Sequence, residues 1–414
     1  MAEQVNMRYQ TYGREANMLQ VKSFLKREMQ MNRENFAAKR RRRAVCVWGM
    51  PGIGKTDIVK SFQDEGYRVL SVPLAQFEEM GDLNGIPQER QDPKSGEWFT
   101  YSCPPEWAPN IKLHGEKVVL LFDDFNRADP RIVKGTMQLI QDYGLVTWGL
   151  DQADYHIVCT ANPEGGLNDV TPLDPAQISR FSHITLKVEG EDGVRNWAVW
   201  ASENGVDNRA ISFMLMHPEW LFTGKDRINP RTWTQAFDIL RSIPDSGSGQ
   251  PLTKENAELL QMHTEACVEK EAADAFTVFM TKGIMEMIEP EQILENLEKV
   301  MPKLRGLSGL EGSRKTARVD CLFAIFERLY LYLRSDGYQP NEKDKQFAAH
   351  GVNFCRVMAS ELSGTDMRWA IVRRLFHENE KTRTKVKTLI NLAKVADKEA
   401  AQSLTKMLAE AVSI

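Results

Sequence analysis

The stretch Gly49-Met50-Pro51-Gly52-Ile53-Gly54-Lys55-Thr56 fits the pattern G-x-x-x-x-G-K-[ST]. Glycines at these spacings let consecutive backbone N–H groups curl around a phosphate, where side chains would block its approach. Lys55 is then expected to pair with the β- and γ-phosphates, and Thr56 to offer its hydroxyl to Mg²⁺. Further along, the apolar run Val118-Val119-Leu120-Leu121-Phe122 ends in Asp123-Asp124. A buried strand ending in a carboxylate sets that group beside the phosphate loop. Asp123 is expected to hold Mg²⁺, usually through water, and Asp124 to orient or deprotonate a hydrolytic water. These residues predict a protein that binds a nucleoside triphosphate with Mg²⁺ and hydrolyses it.

Such groups act only if regular elements hold them. Ala44–Trp48 reads as a short apolar strand leading into the loop, and Lys55–Glu65 as the helix leaving it, the context that this motif requires. Tyr67–Val72 reads as another strand, and Lys117–Phe122 as a strand buried on both faces. Residues 80–110 are rich in Gly, Pro and aromatics and form an expected structured insertion. Leu145–Trp148 and Tyr155–Ala161 suggest a hairpin whose second arm re-enters the sheet. Strands alternating with helical segments up to about residue 188 predict an α/β fold with a parallel sheet. Beyond it the pattern is helical, with a flexible break at Ser246-Gly247-Ser248-Gly249-Gln250-Pro251. Residues 314–414 keep a helical period, with Leu322, Ile325, Phe326 and Leu329 on one face and turn signals at Gly337–Pro340 and Gly364. The expected organisation is an α/β nucleotide-binding core over residues 1–188 with an N-terminal helical segment at 14–38, a helical region over 189–300, and a helical C-terminal domain over 301–414 that carries no chemistry identifiable from its residues.

The 414 residues are 42% hydrophobic and 27% charged, which excludes a disordered or low-complexity chain. With 53 basic against 57 acidic residues, the formal net charge of -4 argues against overall electrostatic binding of nucleic acid. The one local basic patch, Lys39-Arg40-Arg41-Arg42-Arg43, directly precedes the first core strand and reads as a solvated connector, contact with nucleic-acid phosphates being the alternative. Apolar runs fall far short of the ~18 residues that cross a bilayer, and MAEQVNMRYQTYGRE has no secretory pattern, so no membrane role is expected. The six cysteines include no C-x-x-C pair and read as reduced thiols of a cytoplasmic protein, with Cys46, Cys159 and Cys321 in the core.

Taken in order, the motifs resemble the AAA+ ATPases and, within them, the MoxR branch. LLFDDFNRADP is similar to that branch's Walker B segment, VCTANPEGG to its sensor I segment with Asn162 at the strand tip, LDPAQISRF to the helix that ends in an arginine finger, Arg180, and NPRTW to the start of the sensor II helix, with Arg231 as the sensor. The resemblance is collinear over about residues 40–300 and does not extend to 301–414. It implies a P-loop core followed by a helical lid, and a homo-oligomeric, hexameric ring. In that ring Asn162 hydrogen-bonds the water or γ-phosphate, and Arg180 reaches a neighbour's nucleotide in trans. Arg231, following Asn229 as N-cap and Pro230 at the first helical position, covers the γ-phosphate from the lid. Arg127 and Arg131 are further arginines near the expected subunit boundary, their roles left open. A protein client, or a partner carrying a von Willebrand factor A domain, follows from the same resemblance.

One residue departs from the branch. Asp124 stands where Glu is usual, and a carboxylate withdrawn by ~1.5 Å can slow hydrolysis on the order of 10²-fold. The branch also carries an insertion in its second helix and a hairpin before sensor I, which residues 80–110 and 145–161 match. The aromatics there, Trp98, Phe99, Tyr101, Trp107 and Trp148, either grip a polypeptide in a central channel or pack the insertion onto the sheet. The leading expectation is an ATP-driven ring that remodels or assembles a partner protein complex. A nucleic-acid motor or loader is the second, against the near-neutral charge and the lack of a helix-turn-helix or zinc motif. A slow-turnover, nucleotide-gated scaffold is the third, motivated by Asp124.

Overall fold

The computed structural model describes residues 10–108, 115–145, 148–165, 169–188, 190–223, 227–243, 252–309, 317–341, 345–360, 362, 371–376 and 379–412. The chain divides into two compact units, Met1–Glu189 and Gly190–Ile414.

The first unit is built on strands β1 (Arg14–Ala16), β2 (Ala44–Trp48), β3 (Tyr67–Val72), β4 (Ile86–Gln91), β5 (Trp98–Cys103), β6 (Lys117–Phe122), β7 (Tyr155–Ala161) and β8 (Phe181–Leu186). Six of them form one sheet in the order β1-β8-β2-β7-β6-β3, and every pairing in it is parallel. The central strands AVCVW and VVLLF are uninterrupted apolar runs, and YHIVCTA is fully buried with only His156 and Thr160 polar, because helices cover both faces of a parallel sheet. Edge strand β3, YRVLSV, is only partly buried. Around the sheet lie α1 (Met18–Ala37), α2 (Lys55–Lys60), α3 (Met80–Asn84), α4 (Pro130–Asp142) and the short α5 (Pro175–Ile178). Asn17 and Gln20 close a capping box at the start of α1, and Asp129 caps α4 ahead of Pro130. Trp48, Phe122, Phe125, Ile132 and Ile140 belong to the core beneath the strand tips. Burial holds the thiols of Cys46 and Cys159 well above their ordinary range, as expected of core cysteines.

Two expectations for this unit change. Within the stretch read as helical from residue 14, Arg14–Ala16 instead forms edge strand β1, paired with β8. Leu145–Trp148 does not form a hairpin with Tyr155–Ala161. The chain turns back on itself: Leu145 N–H donates to Trp148 O at 2.7 Å, and Leu150 N–H to Tyr143 O at 2.6 Å. β7 has β2 on one edge and β6 on the other, both parallel, so neither edge is open to an antiparallel arm.

The insertion contains α3 and the antiparallel ribbon β4–β5. Its aromatics divide by role. Trp107 packs against Phe77, Phe122 and Trp148 and donates its indole N–H to Asp82 O at 2.9 Å, which ties the insertion to the sheet. Trp98 and Phe99 stand out on the ribbon, 68% and 47% exposed.

The second unit is helical: α6 (Gly190–Glu203), α7 (Asn208–Met216), α8 (Pro230–Phe237), α9 (Lys254–Cys267), α10 (Lys270–Thr281), α11 (Pro290–Glu295), α12 (Leu297–Ser308), α13 (Val319–Arg334), α14 (Lys345–Ala359), α15 (Glu380–Ala396) and α16 (Lys398–Val412). Helix α13 runs through its centre, with Leu322, Ile325, Phe326 and Leu329 buried, and packs on α6, α7, α12 and α15. Glu327 of α13 is 2% exposed and pairs with Arg374, while Arg195 Nε of α6 lies 3.4 Å from its other carboxylate oxygen. At Gly351 a Cβ would sit 2.3 Å from Leu389 O, so glycine permits the close contact of α14 with α15. The break at 246–251 and the turn at Gly364 lie outside the described residues. No described helix is long and apolar enough to cross a membrane.

Candidate active site

Strand register decides which side chains meet. Trp48 is level with Ala161, and Phe122 with Cys159, so Gly49, Asn162 and Asp123 emerge from the carboxyl ends of three neighbouring strands. Between β2 and α2 the phosphate loop turns at Gly52 (φ 78°) and Gly54 (φ 93°), left-handed conformations that other residues adopt at a cost of about 1–2 kcal/mol. Ile53 is buried beneath the loop, while Met50 and Pro51 are half-buried at its rim.

Lys55 is 5% exposed, and its ammonium donates to Gly49 O at 2.8 Å, Met50 O at 3.0 Å and Asn162 Oδ1 at 2.9 Å. The Asn162 amide then donates from Nδ2 to Asp124 Oδ1 at 3.0 Å. A second chain runs beside it: Thr56 Oγ1 donates to Asp123 Oδ1 at 2.7 Å, and Thr160 Oγ1 donates to the same oxygen at 2.7 Å. The Asp124 backbone N–H donates to Thr160 Oγ1 at 2.9 Å, which joins the two acidic residues through one hydroxyl. Asp124 adopts a left-handed conformation (φ 48°), which Asp tolerates better than most residues. Arg127 Nη1 lies 3.8 Å from Asp124 Oδ2.

Three residues here were not singled out from the sequence. Thr160 sits opposite the Asp123 position only because of the β6–β7 register. Asn126, fully buried, clamps the Asn162 main chain, donating from Nδ2 to Asn162 O at 2.8 Å and accepting from Asn162 N–H at 3.0 Å. Glu164 accepts from Leu173 N–H at 2.9 Å and from Tyr12 Oη at 3.3 Å, which fastens the segment after β7. Single polar residues in apolar or loop contexts send no periodic signal, and no local pattern marks them.

The donor set can be tested against Mg²⁺. In octahedral coordination with bonds of about 2.0–2.1 Å, adjacent ligand oxygens are about 3 Å apart. Thr56 Oγ1 and Asp123 Oδ1, at 2.7 Å, fit such an edge. One hydroxyl and one carboxylate leave the remaining positions to water and substrate phosphate, the environment that Mg²⁺ prefers.

Lys55, Thr56, Asp123, Asp124 and Asn162 therefore share one site. Arg180 does not. It immediately precedes Phe181, which pairs with Ala44 at the amino end of β2, and its Nε donates to Gln141 Oε1 at 2.8 Å. The five residues of β2 put roughly 16 Å between that end of the sheet and the phosphate loop. Arg231 belongs to the second unit, exposed on the first turn of α8, where Asn229 Oδ1 accepts from Arg231 N–H at 3.1 Å. Arg131 is held by the carboxylate of Asp129, the cap of its own helix, at 3.1 Å.

No protein-family profile and no curated protein matches this chain. Among solved structures, RuvB of Thermotoga maritima, described as a Holliday junction branch migration motor, is 15% identical over 71% of this chain and 83% of its own, with a TM-score of 0.32. A point mutant of the same Thermotoga maritima RuvB gives 13% identity over 71% and 84%, also with a TM-score of 0.32. An ATPase candidate from Cytophaga hutchinsonii gives 13% identity over 69% and 96%, with a TM-score of 0.25. Likenesses at this level leave the functional reading to rest on the site itself.

Proposed function

We propose that this chain is an ATPase of the AAA+ class. The observation that carries the reading is the pair of hydrogen-bond chains across three strand tips, Thr56–Asp123–Thr160 and Lys55–Asn162–Asp124. Lys55 transfers its donors from the loop carbonyls to the β- and γ-phosphates of ATP. Thr56 and Asp123 would hold Mg²⁺, which supplies charge neutralisation on the phosphate oxygens. Asp124, once its Oδ1 turns from Asn162, orients the attacking water and accepts its proton. Asn162 is then left to hydrogen-bond the water or the γ-phosphate without adding charge.

Within that class the motifs favour the MoxR branch: a ring, hexameric by resemblance, that remodels or assembles a partner protein complex. Arg180 completes a neighbour's site, and Arg231 covers the γ-phosphate from the lid. The protein partner, a von Willebrand factor A domain protein among the options, follows from the resemblance. The exposed Trp98 and Phe99 suit contact with a polypeptide. Phosphate release from ATP tests the core of this reading, and Lys55→Ala must lose it. Arg180→Ala mixed into wild-type assemblies tests the finger, and unchanged activity at every mixing ratio overturns it. Capture of partners on Asp124→Asn with ATP bound tests the client, a protein supporting the reading and salt-sensitive nucleic acid favouring a motor or loader.

A further inference from the structure

The basic run Lys39–Arg43 is no loose connector. Arg40 N–H donates to Asn35 O at 2.7 Å, and Arg43 exchanges two 2.8 Å hydrogen bonds with the buried side chain of Asn32, Arg43 N–H to Oδ1 and Nδ2 to Arg43 O. Tyr143 Oη adds a third bond, to Arg43 O at 3.0 Å. Arg42 lies between the rings of Phe36 and Tyr143, 5.0 and 4.0 Å from their centres, and donates to the carbonyls of Leu150, Gln152 and Tyr155. Its guanidinium is committed to structure and fixes the backbone on either side.

What that backbone presents is different. Arg40, Arg41 and Arg43 are exposed, and none makes an ion pair with another described residue. The register Ala44↔Phe181 places Arg43 and Arg180 side by side, each one residue before a paired strand, and neighbouring strands lie about 4.8 Å apart. A cavity of about 830 Å³ opens there, lined by Arg40, Arg41, Arg43, Arg180 and Gln141, with Glu28 as its one carboxylate among the described residues. A second space of about 610 Å³ shares Arg40, Arg41, Arg42 and Gln141 with it, and is also lined by Lys39 and Asp142. Guanidinium groups crowded round one opening repel each other unless an anion joins them, and their planar forks match phosphate oxygens two at a time.

We propose that Arg40, Arg41 and Arg43, together with Arg180, form a phosphate-binding basin at the end of the sheet opposite the phosphate loop. The strand length rules out one chain's loop and basin gripping the same phosphate group. The ligand is therefore the triphosphate held by an adjacent copy of this chain, or a free nucleoside polyphosphate. The first source rests on the proposed function, and the second does not.

The test uses full-length chains and two readouts. Lys55→Ala removes the phosphate loop's lysine, and titration of that variant with inorganic tripolyphosphate reads the basin alone. Arg40→Ala/Arg41→Ala/Arg43→Ala, placed on the Lys55→Ala background, removes the basin, and Arg→Lys replacements at the same positions keep charge without the fork. If the source is free, Lys55→Ala binds tripolyphosphate and the added triple change weakens binding at least tenfold. If the source is the neighbour, Lys55→Ala binds none. Lys55→Ala chains mixed with wild-type chains then sustain more ATP hydrolysis per wild-type chain than Lys55→Ala chains that also lack the basin. The lysine set restores part of whichever effect is seen.

Absence of both effects overturns the proposal. So does loss of oligonucleotide binding in the triple variant with tripolyphosphate binding and hydrolysis unchanged. Hydrolysis that survives Lys55→Ala breaks the ATPase reading instead, while the tripolyphosphate titration still decides the basin.

Discussion

Two buried charges, one in each unit, are handled in opposite ways. Lys55, at the tip of the sheet, has its ammonium held by two carbonyls and an amide oxygen. Glu327, inside the helical unit, has its carboxylate held by Arg374 and approached by Arg195. The carbonyl and amide dipoles that hold Lys55 can be exchanged for a phosphate. A carboxylate between two guanidinium groups cannot change partners without a large desolvation cost. The first arrangement suits a ligand that comes and goes, and the second suits a permanent joint between α13, α6 and the segment carrying Arg374.

The largest test of this contrast is Lys55→Ala. Loss of one transition-state donor costs on the order of 10²–10³ in turnover, so phosphate release should fall by at least that much while the urea midpoint barely moves. An unfolded variant would mean that Lys55 is structural, and the contrast would fail. Glu327→Ala should do the reverse, lowering the stability of the second unit by about 3–5 kcal/mol in urea unfolding, because Arg374 loses a buried carboxylate partner, while Arg195 keeps Glu191 and Asp192. A change under about 1 kcal/mol would show the triad to be solvated in solution.

Asp124→Glu sharpens the site half of the comparison. Restoring one methylene should raise turnover, by up to on the order of 10²-fold, with nucleotide affinity unchanged. Turnover that stays level or falls would show that the left-handed backbone at Asp124 already delivers the shorter carboxylate.

The smallest effect concerns His156 in β7, whose ring burial, with Arg33 and Arg42 nearby, pushes its pKa down from 6.5 to about 3. An unfolded chain takes up that proton below about pH 6.5 and the folded chain only below about pH 3, so stability falls as pH drops through this window. The expected loss from this group is about 1 kcal/mol between pH 6.5 and 5.5, approaching about 1.4 kcal/mol per pH unit below that, and His156→Leu should remove it in urea melts at the two pH values. Equal slopes for both proteins would place the acid sensitivity elsewhere.

How much of this was readable in advance follows from the range of each interaction. The phosphate loop, β2, β3 and the Asp123-Asp124 tip were legible because local signals carry them: glycines where φ must be positive, and apolar runs bounded by charge. β1 was missed because three residues are too few to show a period. The hairpin expectation failed because β7 reads equally well as an outer arm or a central strand until its neighbours are known. The exposed ribbon and the packed Trp107 looked alike as aromatics in one insertion, and only contact separated them.

The sequence by itself determined that a phosphate loop follows a buried strand, that a second buried strand ends in two carboxylates, and that the chain past about residue 190 is helical. Each depends on backbone geometry and apolar pattern within a few residues. Only the tertiary structure decided that Asn162 links Lys55 to Asp124, that Thr160 joins the two acids, and that Arg43 stands next to Arg180. Those meetings follow from parallel register between segments far apart in the chain. Packing of the whole sheet sets that register, because a slip of one residue would turn every buried side chain to the other face.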